Sequence, residues 1–202
     1  MSKIYYKATQ MDGQSFHGNP KVSYVNGDGS LRSDVVRPAP FVGRAAICGP
    51  GVLHASDVPT ETLIGCSWPC RLFEVEPVGK LVDQEGHKYA FARLRVVREI
   101  EAHRVFGPQG EYVVALIEAA KGLTAEQVDR LYAARNTAWD AAWNTAWDAA
   151  GYAARDAARN TAGALVVRDL IGQHRFTQEH YDTLTRPWRT AVGPIHPEDA
   201  PL

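Results

Sequence analysis

Gly107-Pro-Gln-Gly-Glu-Tyr-Val-Val-Ala-Leu-Ile-Glu-Ala-Ala-Lys-Gly-Leu-Thr-Ala-Glu-Gln127 is the stretch at which the chain changes character. Gly107-Pro108-Gln109-Gly110 punctuates it. Glu111–Ala120 predicts a short helix, closed by Gly122 just past its end. Thr124 and Gln127 form a capping-box pattern, so Thr124 is expected to cap a second helix starting near Ala125. Upstream lie short runs suited to strands; downstream alanine dominates, and no proline occurs until Pro187. The expectation is an α+β chain: an N-terminal β-rich domain over 1–105, a short helix and connector over 106–123, a long Ala-rich helix over 124–172, and a short helix with a Pro-rich tail over 173–202.

Working upstream, Tyr89–Ile100 places Phe91, Leu94, Val96 and Val97 among Arg93, Arg95 and Arg98. Arg71–Glu76 places Leu72, Phe73 and Val75 around Glu74 and Glu76. These read as paired antiparallel strands, with glutamates facing arginines across the ladder. Gln84–His87 reads as a turn, Lys3–Thr9 as a tyrosine-rich strand, and Asn26-Gly27-Asp28-Gly29 as a turn between extended pieces. Pro38 and Pro40 exclude a regular strand around them.

Working downstream, an eight-residue repeat begins at Arg135: RNTAWDAA, WNTAWDAA, GYAARDAA, then a decaying copy. Four residues turn an α-helix by about 400°, so a distinctive residue at every fourth position drifts about 40° per step. Trp139, Trp143 and Trp147 then form one ridge, with Arg135 able to stack on Trp139. This drift excludes a heptad coiled coil. A continuous helix here would run about 70 Å, more than a β-domain of ~13 Å radius of gyration can cover. Arg135, Trp139, Trp143 and Trp147 are therefore the expected partner-binding residues, for a second copy or another protein. Further on, Thr177 is expected to start a helix stapled by Phe176 and Tyr181, with Pro187 kinking or ending it. Gly193–Leu202 reads as an extended tail, and His174, His180 and His196 as solvated.

Hydrophobic content of 45% and charged content of 22% belong to a globular chain. Net charge is −1, with 14 basic and 13 acidic residues before Thr124. No basic stripe emerges, so nucleic acid is not an expected partner. No apolar run is long enough to span a membrane, and the start lacks a signal-peptide core, so a cytoplasmic location is expected. Three cysteines argue against a disulfide framework.

The densest chemistry lies at Cys48-Gly-Pro-Gly-Val-Leu-His54-Ala-Ser56. Together with Tyr6-Lys7-Ala8-Thr9, Asp12-Gly13 and Leu72-Phe-Glu-Val-Glu-Pro-Val78, it resembles an uncharacterised family of small actinobacterial and actinophage proteins with alanine-rich helical tails. Val52 interrupts that family's usual Gly-Leu-His contiguity. The resemblance implies a phage or bacterial accessory protein in the host cytoplasm, without implying an activity. A second, fold-level resemblance is to ADP-ribosyltransferases, whose sites place an aromatic or His on an early strand, a Ser or Thr on a middle strand and a late Glu. On that resemblance the catalytic candidates are Tyr6, His54, Ser56 and Glu76, with Tyr5 as the alternative ring and Glu74 as the alternative carboxylate steering a ribose as it becomes an oxocarbenium ion. A third reading takes Cys48, His54, Cys66 and Cys70 as zinc ligands, chemically adequate but at a spacing that matches no strong signature; no cofactor is expected. Nucleotide-binding glycine motifs and the common hydrolase motifs are absent. The leading expectation is an interaction protein: a β-rich ligand- or partner-binding domain joined to a helical self-assembly element. The transferase-like enzyme is the alternative.

Overall fold

A computed structural model describes residues 3–43, 46–47, 49–131, 161, 164–165 and 177–199. The chain divides into two compact units, Met1–Val105 and Phe106–Leu202. The first unit is a seven-stranded sheet with every pairing antiparallel. Its strands are β1 (Tyr5–Thr9), β2 (Val35–Val36), β3 (Leu53–Ser56), β4 (Arg71–Pro77), β5 (Leu81–Glu85), β6 (Lys88–Phe91) and β7 (Leu94–Ile100). Their order across the sheet is β2-β7-β4-β1-β3-β6-β5.

This order forces a curl. Strands β6 and β7 are consecutive in the chain, yet β4, β1 and β3 lie between them. On a flat sheet four strand steps span about 19 Å. The three virtual bonds from Phe91 to Leu94 reach about 11 Å at most. The sheet must therefore wrap until its halves approach each other. Tyr5, Phe73, Val75, Tyr89, Phe91, Leu94 and Val96 fill the wrapped face, with Tyr24 and Val25 from the long β1–β2 connection. Ala8, Leu72 and Ala90, which alternate with that set, are buried as well. The central strands are thus covered on both faces, which is why β4 reads as a nearly unbroken apolar run around Glu74.

The expected pairing of the glutamate and arginine strands is present: Glu74 faces Arg98 and Glu76 faces Arg95. The expected single strand over Tyr89–Ile100 is corrected. It breaks at Ala92-Arg93, because its first half pairs with β3 and β5 and its second with β4 and β2. Asn26–Gly29 forms the expected turn, closed by the Gly29 N–H donating to Asn26 O at 2.9 Å. Gly13 has φ +78°, and a Cβ there would lie 2.4 Å from Val25 Cγ2, so the turn after β1 packs directly on the core.

In the second unit the first helix spans Gly110–Lys121. Thr124 and Gln127 then cap each other reciprocally, the Gln127 N–H to Thr124 Oγ1 at 3.2 Å and the Thr124 N–H to Gln127 Oε1 at 2.9 Å. Residues 125–131 are helical. Most of the repeat, with Arg135, Trp139, Trp143, Trp147 and the expected long helix, lies outside the described residues. Among the described residues the longest helix has 14, Gln178–Ala191. Thr177 caps it, with His180 completing the box. Pro187 was expected to kink or end this helix; the helix does not end there but runs on to Ala191. Buried Tyr181, Thr185 and Trp188 hold the turns on both sides of the proline, so packing outweighs one missing N–H. The tail is also corrected: Asp199 accepts the N–H groups of Ile195 and His196, both at 3.0 Å, and folds it back. His196 is consequently buried, edge-on to Tyr112, rather than solvated. No described helix is long and apolar enough to cross a membrane.

Candidate functional site

Register locates the four residues carried by the transferase resemblance. Tyr6 faces Ser56 of β3 on one side and Glu74 of β4 on the other. Beyond them stand Lys88 and Arg98, so one row reads Arg98, Glu74, Tyr6, Ser56, Lys88. His54 lies two residues along β3 and Glu76 two along β4. Both strands run antiparallel to β1, so these displacements go in opposite directions. At about 4.8 Å per strand and 3.3 Å per residue, His54 and Glu76 are about 16 Å apart along the sheet. Tyr6, Ser56 and His54 are brought together; Glu76 is not brought to His54. The carboxylate beside Tyr6 is Glu74, and both its oxygens accept from Arg98, at 2.7 and 2.8 Å. The Arg98 guanidinium holds the Glu74 carboxyl below its usual range.

Past Tyr6↔Ser56 the β1–β3 ladder stops. Lys7 follows Tyr6 on one side of this opening and His54 precedes Ser56 on the other. The Lys7 ammonium lies 5.7 Å from the centre of the Tyr24 ring, itself stacked on Phe73. Burial pushes Lys7 down to about 8, and its electrostatic neighbours among the described residues are Cys66 and Lys88, not a carboxylate. His54 is pushed down to about 4, first by burial, then by Lys7, Lys88 and His17. Four basic side chains thus act on one another around the opening. At neutral pH His54 is uncharged while Lys7 carries its proton.

His17 comes from the β1–β2 connection and Cys66 from the segment before β4. His17 Nε2 lies 2.8 Å from Gly65 O and 3.8 Å from Cys66 Sγ. A carbonyl oxygen only accepts, so Nε2 carries the proton and cannot take one from the thiol. Burial also pushes the Cys66 thiol up. This pair is therefore not an activated nucleophile. Cys66 and Cys70 are free thiols, and burial pushes Cys70 to about 11. Of the zinc candidates, Cys48 lies outside the described residues. Among the described residues no three of His, Cys, Asp and Glu converge on a point that could hold a metal.

Next to Ser56, Asp57 knots three strand ends. It accepts from His87 Nδ1 at 2.7 Å, Tyr89 OH at 3.0 Å and Lys3 Nζ at 3.1 Å. Burial alone would raise this carboxyl, but the three donors outweigh it and hold it at about 2. A depressed carboxyl contributes stability above its ordinary value of 3.8, lost as the pH falls through about 2. Asp57→Asn is expected to lower the melting temperature at pH 7 by roughly 5 °C, the effect of about 1 kcal/mol. Thermal melts from pH 7 to 2 check this: the variant's deficit should shrink at the acid end.

Lys7, His17 and Lys88 were missed by the sequence reading. One signal was available: strand alternation puts Lys7 on the same face as Tyr5, an unusual place for an ammonium. No family model, curated protein or solved structure matches this chain.

Proposed function

We propose that the β-rich unit is a binding module for a small phosphate-bearing anion, held at the β1–β3 opening by Lys7, His17, His54 and Lys88. The observation that carries this reading is the meeting of these basic side chains where Lys7 has no carboxylate among its electrostatic neighbours. An anion there would supply the missing counter-charge, and in a partly dry site it would be bound more strongly than at an open surface. The role is binding and not group transfer, since Glu74 is engaged by Arg98 and Glu76 lies across the sheet from His54.

Inorganic phosphate, titrated while the His54 ring is followed by NMR across pH 3–8, is the test. Bound phosphate favours the imidazolium, so the His54 midpoint should rise from about 4. A midpoint that ignores phosphate would sink the reading.

A second reading, supported by the octad repeat, is that Trp139, Trp143 and Trp147 drive self-association. Light scattering should give a wild-type mass above 22.2 kDa, reverting to that mass in the triple Trp→Ala variant. A monomeric wild type refutes it.

A further inference from the structure

The curl of the sheet creates a second place where the chain can hold a ligand. Where β2 ends, where β3 begins and where β6 passes into β7, three connections surround a depression of about 420 Å3. Pro38, Pro40 and Phe41 give it an apolar lining. Arg37 and Arg93 belong to the same lining. Among the described residues neither guanidinium has a hydrogen-bond or ion-pair partner.

The seating of Phe41 is built in. Gly51 has φ +78°, and a Cβ there would lie 2.8 Å from Phe41 Cβ. Gly43 has φ +151°, and a Cβ there would lie 2.8 Å from the ring at Cζ. The ring is wedged between two positions where only glycine fits, yet 43% of the residue stays exposed. Arg93 is placed by its own turn: its carbonyl accepts the Val78 N–H at 3.0 Å, and a Cβ on Gly79 would come within 3.2 Å of its guanidinium. A flat exposed ring beside two partnerless guanidiniums combines stacking with forked anion recognition. The volume suits one small molecule.

We infer that this depression binds a nucleoside monophosphate-class ligand, its heterocycle on Phe41 and its phosphate between Arg37 and Arg93. The heterocycle covers the exposed ring face and the prolines. The phosphate accepts from the two arginines, which no carboxylate of the described protein neutralises. This site shares no residue with the β1–β3 opening and stands or falls separately from it.

The full chain is titrated calorimetrically with AMP, and in separate arms with adenosine and with inorganic phosphate. AMP should bind at least about tenfold more tightly than adenosine, and Phe41→Ala should weaken AMP roughly tenfold, as expected of one lost stacking contact. Arg93→Gln and the more exposed Arg37→Gln should each weaken AMP roughly 10- to 100-fold, as loss of a charge-assisted bond does. Lys21→Gln, at an exposed lysine that lines neither site, should leave AMP binding unchanged. AMP affinity indifferent to both arginine variants overturns the inference, as does loss of AMP binding in Lys7→Met alone. Inorganic phosphate that matches AMP, with no effect of Phe41→Ala, overturns the role given to the ring. Arg37→Gln, at an exposed position, keeps the test open if Arg93→Gln fails to fold.

Discussion

Lys7→Met is expected to raise the melting temperature at pH 7 by about 5 °C while weakening phosphate binding roughly a hundredfold. The opposite signs share one cause. The Lys7 ammonium is drawn out of water against the Tyr24 ring with no carboxylate among its electrostatic neighbours, and burial holds it down at about 8 against an ordinary 10.5. For a base with a depressed value, the charged form is disfavoured in the folded state. The penalty is fully present below about pH 8 and is relieved as the pH rises toward 10.5. Methionine keeps the length and apolar stem of lysine without the charge, so the variant lacks that penalty. Wild type should therefore gain stability between pH 8 and 10.5, and the gap between the two proteins should close over that window. Phosphate should raise the wild-type melting temperature more than the variant's, because the wild type binds it more tightly. Melts with and without phosphate at pH 7, 9 and 10.5 read all three effects. A variant that melts below wild type would show that Lys7 is a structural residue, not a ligand-binding one held at a cost in stability.

The parts of this architecture that were legible in the sequence are those with local or complementary signals. Glu74 and Arg98 lie 24 residues apart, yet their strands could be matched because one carries acids and the other bases. The Thr124–Gln127 capping box and the Asn26–Gly29 turn are complete within four residues. Strand β5 offered no such signal: Leu81 and Val82 are exposed on a sheet edge, so its burial does not alternate. The break at Ala92-Arg93 was hidden because both halves of the stretch are good strands, and only the sheet order separates them. Pro187 does not end its helix, because the burial of Trp188 and Thr185 around it outweighs one missing N–H. In the site, the glycine-flanked His54–Ser56 segment stands out in the sequence. Its partners could not be read locally, because a pairing such as Tyr6↔Ser56 is set by the whole sheet and not by neighbours in sequence. Choosing Glu76 over Glu74 was a choice of register, and register places Glu74 beside Tyr6.

Phe73→Ala is expected to cost about 3–5 kcal/mol, a third or more of the stability of a typical domain. Phe73 is wholly buried in the middle of β4. Its ring stacks on Tyr24 with centroids 6.5 Å apart, and the Arg71 guanidinium lies 5.2 Å from its centre. Truncation removes a ring from the wrapped face where both neighbouring strands are pinned, leaving little freedom to close the cavity. Denaturant unfolding, read by hydrogen exchange of the β1 and β4 amides, should show the loss as an earlier midpoint with an unchanged slope. An unchanged midpoint would contradict the packing of β4. Phe73→Leu keeps most of the volume and should cost less than about 1.5 kcal/mol. It leaves the domain folded but removes the stack that sets the Tyr24 ring, and with it the surface on which the Lys7 ammonium rests. Phosphate affinity should fall in this folded variant, by roughly three- to tenfold, about what one aromatic pair contributes. If binding persists undiminished, Lys7 is positioned by its own strand and the Tyr24–Phe73 stack belongs to the core alone.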